Sequence, residues 1–159
     1  MLTLEQLGAF RESGHVTVPS VFNADEVTAA IHDIETWSAE FLAQMSGEQE
    51  SWFLEKGTDA TALRKLDNPV FHRDLYQRMA KHKRLVEIVE QIIGPSVSVF
   101  FSQVFMKPPE GGGPKPVHQD NFYFGPDDPE ATLTVWIALD DATTENGCLY
   151  YGNGSHQYA

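Results

Sequence analysis

Apolar positions recur at helical spacing through the first half of the chain. Thr3 followed by Gln6 is a capping-box pattern, with Leu4, Leu7 and Phe10 behind it and Gly14 as a stop. His15, Val16, Thr17 and Val18 alternate briefly like a short strand that Pro19 ends. Asn23 with Glu26 predicts a second helix start. The stripe Val27, Ala30, Ile31, Ile34, Trp37, Phe41, Leu42 and Met45 then continues to Gly47. Residues 46–62 are polar and mixed and read as loop. Phe71, Leu75 and Met79 predict a third helix. Leu85, Ile88, Val89 and Ile92 predict a fourth, ended by Gly94-Pro95.

The pattern changes at residue 96. Residues 96–107 are rich in Val and Phe and predict a long strand. Residues 108–116 are punctuated by Gly and Pro and predict a loop. Residues 117–124, 131–139 and 148–151 are further strand candidates, separated by polar turns. Residues 1–95 are thus mainly helical and residues 96–159 mainly β, an α+β layout within one domain.

Composition narrows the function classes. The 159 residues carry 11 Lys and Arg against 23 Asp and Glu, a net charge of −12. Nucleic acid and anionic membranes select clustered cations, so neither is expected as a partner. The acidic residues are spread over both halves and read as a solvated surface. One cysteine excludes an internal disulfide framework, and Cys148 reads as a core residue. No apolar run approaches the roughly 20 residues that span a bilayer, and no signal peptide is visible, so a cytoplasmic location is expected.

The sharpest chemical feature is His118-Gln119-Asp120. On a strand, residues two apart point to one side, so the imidazole and carboxylate converge. Together they are two-thirds of the two-His-one-carboxylate set that holds non-haem Fe(II). Taken alone the tripeptide also reads as a hydrogen-bonding pair at a strand end. His72-Arg73-Asp74 repeats the spacing in a helical pattern, where it points to surface residues instead. Gly111-Gly112-Gly113 lacks the Lys-Ser/Thr ending of a phosphate loop and reads as a loop over the site. His15, His32 and His82 read as structural or solvated.

The run from His118 through Tyr123, then Leu133 to Thr143, Glu145 to Leu149, and Gly154-Ser155-His156, resembles the phytanoyl-CoA dioxygenase family. The opening helix with Gly14, Val21-Phe22 ahead of the Asn23 helix start, and Met106-Lys107-Pro108-Pro109 resemble it too. The resemblance implies N-terminal helices packed on a double-stranded β-helix, the jelly-roll or cupin-like core. It also implies Fe(II), with 2-oxoglutarate and O2 as co-substrates, and hydroxylation of a small organic substrate. His118 and Asp120 match metal ligands and catalytic positions. Lys65, Gln103 and Trp136 match positions at the 2-oxoglutarate pocket. On the residues alone Lys65 reads equally as a surface lysine, Gln103 as a satisfied polar residue and Trp136 as a core aromatic. Asp120, where related halogenases leave the position open, points to a hydroxylase.

In this family the distal iron-binding His and the Arg that pairs with 2-oxoglutarate follow the Gly-Ser-His segment. The resemblance therefore predicts a chain that lacks both, with an incomplete jelly roll, open sheet edges and a tendency to self-associate. His156 reads as a loop histidine near the pocket rather than as the distal ligand. The alternative function is a catalytically inactive metal-binding or interaction module of the same fold. A cupin-like metal or sugar binder ranks below both, since cupins favour His-x-His where this chain has His118-Gln119-Asp120.

Overall fold

Two reciprocal capping boxes set the first two helices, as their sequence signals predict. A computed structural model describes residues 1–55, 62–108 and 112–158. Helix α1 (Leu4–Ser13) starts where the Thr3 hydroxyl accepts from the Gln6 N–H and the Gln6 side chain accepts from the Thr3 N–H. It stops at Gly14, whose φ of 82° is the left-handed conformation that glycine adopts without a Cβ clash. Helix α2 (Ala24–Gln44) begins with the same exchange between Asn23 and Glu26.

Residues 46–62, expected as loop, contain a further helix, α3 (Gly47–Phe53). Its start carries the signal of the first two, with the Ser46 N–H donating to Gln49 Oε1 at 3.0 Å. Residues 56–61 of that stretch, and residues 109–111 of the Gly/Pro loop, lie outside the described residues. The third predicted helix is two: α4 (Pro69–His72) and α5 (Asp74–Ala80). Arg73 sits at the break in extended conformation and grips α2, with Asp33 at 3.0 and 2.7 Å and Glu40 at 3.0 Å. His72 and Asp74, read from sequence as surface helix residues, are exposed at the end of α4 and the start of α5, while those two acidic side chains hold Arg73 between them against α2. Helix α6 (Lys83–Ile93) ends at Gly94.

The strands are where structure and sequence part. Among the described residues one antiparallel strand pair forms, β1 (Lys65–Asp67) against β2 (Gln103–Phe105), in the register Lys65–Phe105, Leu66–Val104, Asp67–Gln103, beside a single antiparallel bridge between Leu54 and Leu63. Of the long strand expected over residues 96–107, only these three residues are laddered. Asn68, at φ 58°, turns the chain out of β1 and bonds back to Ser102 through its own N–H at 2.7 Å. A strand lasts only as long as its partner supplies the other half of each hydrogen bond, and β1 is three residues long. Residues 15–18 form no strand. Within 117–124 the chain makes a helical turn, α7 (Asp120–Phe124), closed by Gly125. Residues 131–139 and 148–151 join no ladder among the described residues, and Val135, Leu149 and Tyr150 stay exposed there. Cys148, expected in the core, is half-buried. The fold is therefore α+β, with helices around a two-stranded sheet.

The core forms where α2, α5 and the strand pair meet. Leu66 is fully buried and packs with Ala30, Leu63, Tyr76, Met79 and Val104, flanked by Phe22, Ile34, Trp37, Phe41 and Phe53. Burying a leucine of that kind contributes about 1.5–3 kcal/mol. The small Ala30 lets the Tyr76 ring lie against α2, where its hydroxyl donates to the Ala30 carbonyl at 2.7 Å. Residues 151–158 return to the far end of α1. The Gly154 N–H donates to the Ser13 carbonyl at 2.9 Å, and His156 Nε2 donates to the Arg11 carbonyl at 3.2 Å. His15, read from sequence as structural or solvated, stacks on Tyr151 and bonds Asn153 Oδ1 at 2.9 Å.

Tyr76→Phe removes a buried hydrogen bond and is expected to lower stability by about 1 kcal/mol. Ala30→Leu overfills the same contact and is expected to cost about 1–3 kcal/mol. Urea denaturation of both variants checks the contact.

Candidate functional site

Two groups of side chains stand out, and each is built by a short extended segment. The first lies at residues 118–120. Gln119 has φ −115° and ψ 133°, which sends the side chains on either side of it in one direction even though Asp120 begins α7. The strand expected here is a single extended residue, yet the convergence it implied is present: His118 Nε2 lies 3.4 Å from Asp120 Oδ1.

The surrounding bonds orient both side chains. His118 Nδ1 is 2.8 Å from the Pro116 carbonyl. A carbonyl oxygen only accepts, so Nδ1 carries a hydrogen, and Nε2 is the nitrogen turned to the carboxylate. Nε2 and Oδ1 face each other at 3.4 Å, a gap that a proton or a cation between them bridges. The other oxygen, Asp120 Oδ2, accepts from Thr134 Oγ1 at 2.6 Å. Tyr123 meets the imidazole edge-on at 5.5 Å. Gln119 Nε2 donates to the Ser155 carbonyl at 2.9 Å, tying the segment to the loop that docks on α1. Burial, and then the Asp120 charge, push the Tyr151 phenol above its usual range.

The donor chemistry fits two positions of a divalent metal site: an imidazole nitrogen, its other nitrogen hydrogen-bonded to a carbonyl, and a carboxylate oriented by a hydroxyl. Among the described residues no third His, Cys, Asp or Glu completes a group of three with them. His156 does not join them; its ring packs against Gly14 at the end of α1.

The second group lies on the β1–β2 pair. Leu66 and Val104 face the core, so Lys65, Asp67 and Gln103 take the opposite face. Lys65 is only 8% exposed, which overturns its reading as a surface lysine. Its ammonium lies 3.0 Å from Asp67 Oδ2 and 4.1 Å from the centre of the Trp52 ring. Gln103 Nε2 donates to Asp67 Oδ1, and Trp52 Nε1 lies 3.4 Å from Oδ2. Burial alone would raise the Asp67 carboxyl, but the bonds from Gln103 and Lys65, the Lys65 charge and the Trp52 bond together hold it below its usual range. A cavity of about 260 Å³ beside Asp67 is walled by Trp37, Phe41, Phe53, Asn68 and His72.

Sequence reasoning singled out Lys65 and Gln103, and the structure joins them through a residue it passed over, Asp67. The signal was available, because Lys65 and Asp67 are two apart in a stretch that pairs as a strand. Thr134 was also passed over; only the fold brings it to Asp120. Trp136 is 47% exposed and makes no ring contact or hydrogen bond among the described residues. Among the described residues the His118 group and the Lys65 group share no hydrogen bond, ion pair or ring contact.

Comparison with known proteins bears on what these groups serve. The family described as Phytanoyl-CoA dioxygenase (PhyH) matches residues 10–159. The chain is 27% identical over 154 residues to a probable alpha-ketoglutarate-dependent hypophosphite dioxygenase of Stutzerimonas stutzeri, covering 96% of this chain and 53% of that protein. It is 26% identical over 191 residues to phytanoyl-CoA dioxygenase domain-containing protein 1 of Bos taurus, covering 98% and 66%. A phytanoyl-CoA dioxygenase of Arabidopsis thaliana is 25% identical over 186 residues, covering 98% and 65%. The chain thus spans between half and two-thirds of the length of these relatives.

The depressed Asp67 carboxyl has a consequence for stability. A carboxylate whose pKa falls on folding stabilises the protein above its unfolded pKa. That contribution is lost as pH falls through the folded value. Asp67→Asn is therefore expected to lower the Tm at neutral pH and to flatten the decline of Tm on acidification, measured by thermal unfolding across the acid range.

Proposed function

The chain belongs to the phytanoyl-CoA dioxygenase family, and from that premise we propose that it forms the metal-binding part of a non-haem Fe(II)- and 2-oxoglutarate-dependent oxygenase acting on a small organic substrate. His118 and Asp120 are the protein ligands in this reading. The observation that carries it is the 3.4 Å approach of His118 Nε2 to Asp120 Oδ1, with Nδ1 committed to the Pro116 carbonyl. The bond from Nδ1 to a carbonyl turns the ring so that Nε2 is the atom presented to Asp120.

When bound, the metal with 2-oxoglutarate supplies the activation of O2 that hydroxylates an aliphatic C–H bond. The chain's own part is positional. Pro116 fixes the imidazole tautomer and Thr134 fixes the carboxylate rotamer, so that both donors are aimed before the metal arrives. Gln119 anchors the segment between them to residues 152–155. Lys65 and Gln103 are the donors for a carboxylate of the co-substrate, and Trp136 contributes an aromatic wall to the same pocket. The apolar segments 96–107 and 131–139 belong to the jelly-roll core of this single domain, which accounts for their β-rich, outward-facing residues.

The absence of a third donor among the described residues favours a second reading for this chain by itself: a two-ligand metal-binding module without turnover. Anaerobic addition of Fe(II) followed by 2-oxoglutarate separates the two. The oxygenase reading expects a visible charge-transfer band, succinate on exposure to O2, and loss of both in His118→Ala and Asp120→Ala. Iron that binds with neither band nor succinate supports the module. Iron binding unaffected by either substitution overturns both. Thr134→Val leaves the ligands in place and removes the bond that aims Asp120. It is expected to weaken the metal by about 10–100-fold, read from a Co(II) absorption titration.

A further inference from the structure

The Lys65 group has the form of an occupied binding site. A buried ammonium, a carboxamide N–H and an indole N–H, from Lys65, Gln103 and Trp52, converge on one carboxylate. That carboxylate belongs to the chain itself, at Asp67. Lys65 and Gln103 are the two residues that the oxygenase reading gives to the co-substrate's carboxylate, and in this structure Asp67 already holds both. A buried ammonium whose counter-ion is withdrawn is costly, so it is not left empty and takes whichever anion is at hand.

We propose that Lys65, Gln103 and Trp52 form a carboxylate seat that Asp67 fills from within, so that an external carboxylate of the 2-oxoacid class reaches Lys65 only in exchange for Asp67. Asp67 then sets how tightly that class binds. The naming of the external ligand rests on the oxygenase reading; the seat itself does not. The geometry favours exchange over a fixed structural pair. Asp67 borders the cavity walled by Trp37, Phe41, Phe53, Asn68 and His72, which gives its carboxylate a neighbouring space to enter. Its partners Lys65 and Gln103 are held in place independently of it, by the β1–β2 ladder and by the Trp52 and Phe53 rings beneath the Lys65 ammonium.

Chemical rescue tests this. Asp67→Ala in the full chain empties the seat and leaves its donors. Thermal unfolding is followed in sodium formate or acetate against sodium chloride at equal ionic strength. A ligand that binds the folded state alone raises the Tm progressively with its concentration. The expected result is a rise of a few degrees for Asp67→Ala in carboxylate over chloride. No such rise is expected for the wild type, whose seat is filled, or for the Lys65→Met/Asp67→Ala double variant. If Asp67→Ala is unfolded in chloride, the same comparison reads the refolding that carboxylate induces, and Asp67→Asn gives a milder form of it. An equal response in wild type and variant, a response that survives loss of Lys65, or no response at all overturns the seat. Repeating the titration with 2-oxoglutarate separates the two claims. A seat that answers to formate and acetate but not to 2-oxoglutarate overturns the exchange with a 2-oxoacid. Failure of the iron experiment with intact rescue removes the oxygenase reading and leaves the seat.

Discussion

The pairing of Leu66 with Val104 is the constraint on which the rest of the structure depends. It is the central pair of the only two-stranded sheet among the described residues, and its side chains fill the core against Ala30, Tyr76 and Met79. Because strand side chains alternate, burying these two forces Lys65, Asp67 and Gln103 together on the other face. A slip of one residue would put Lys65 and Asp67 into the apolar core and Leu66 outside it, at the cost of burying two charged groups among hydrocarbons. The hydrophobic demand of one leucine thus fixes the position of a lysine, an aspartate and a glutamine that make a charged cluster.

The helices serve this pair by holding its surroundings. Arg73 joins Asp33 and Glu40, bringing α4 and α5 to α2, and Tyr76 adds a hydrogen bond to the same helix. The aromatic residues that α2 and α3 then present, Trp37, Phe41, Trp52 and Phe53, surround the charged face of β1. Lys65 is tolerated at its burial because Asp67 neutralises it and Trp52 offers its ring to the ammonium. The candidate metal ligands depend on a different support. The loop at 152–155 docks on the carbonyls at the end of α1, and Gln119 reaches that loop from between His118 and Asp120. The charged pair is therefore held by residues of α2 and α3, and the candidate metal pair by the end of α1.

Much of this was legible in the residues, and the unread part has a common cause. The capping exchanges of Thr3 with Gln6 and of Asn23 with Glu26 span three positions, so their signals survive in sequence. Ser46 with Gln49 carries the same signal and was lost in a polar stretch. The break at Arg73 was not legible, because what holds Arg73 out of a helix is a pair of carboxylates some forty residues earlier. The strands over residues 117–124, 131–139 and 148–151 were read from β-rich composition. Composition specifies a preference for extended backbone, whereas a strand also requires a neighbour in register.

The site divides in the same way. His118 and Asp120 were found because two residues flanking one extended residue converge by local geometry alone, whatever the element they belong to. Lys65 and Gln103 were named by resemblance, and Asp67, which joins them, was not named at all. By itself the sequence determined what depends on backbone dihedrals and spacings of two to four residues: the helix starts, the glycine stop at Gly14 and the convergence at 118–120. Tertiary structure alone decided what depends on distant partners: the burial of Lys65, the bond from Thr134 to Asp120, the docking of His156 on α1 and the length of each strand. The physical reason is that a contact between distant residues exists only once packing has brought them within bonding distance, and packing is a property of the whole chain.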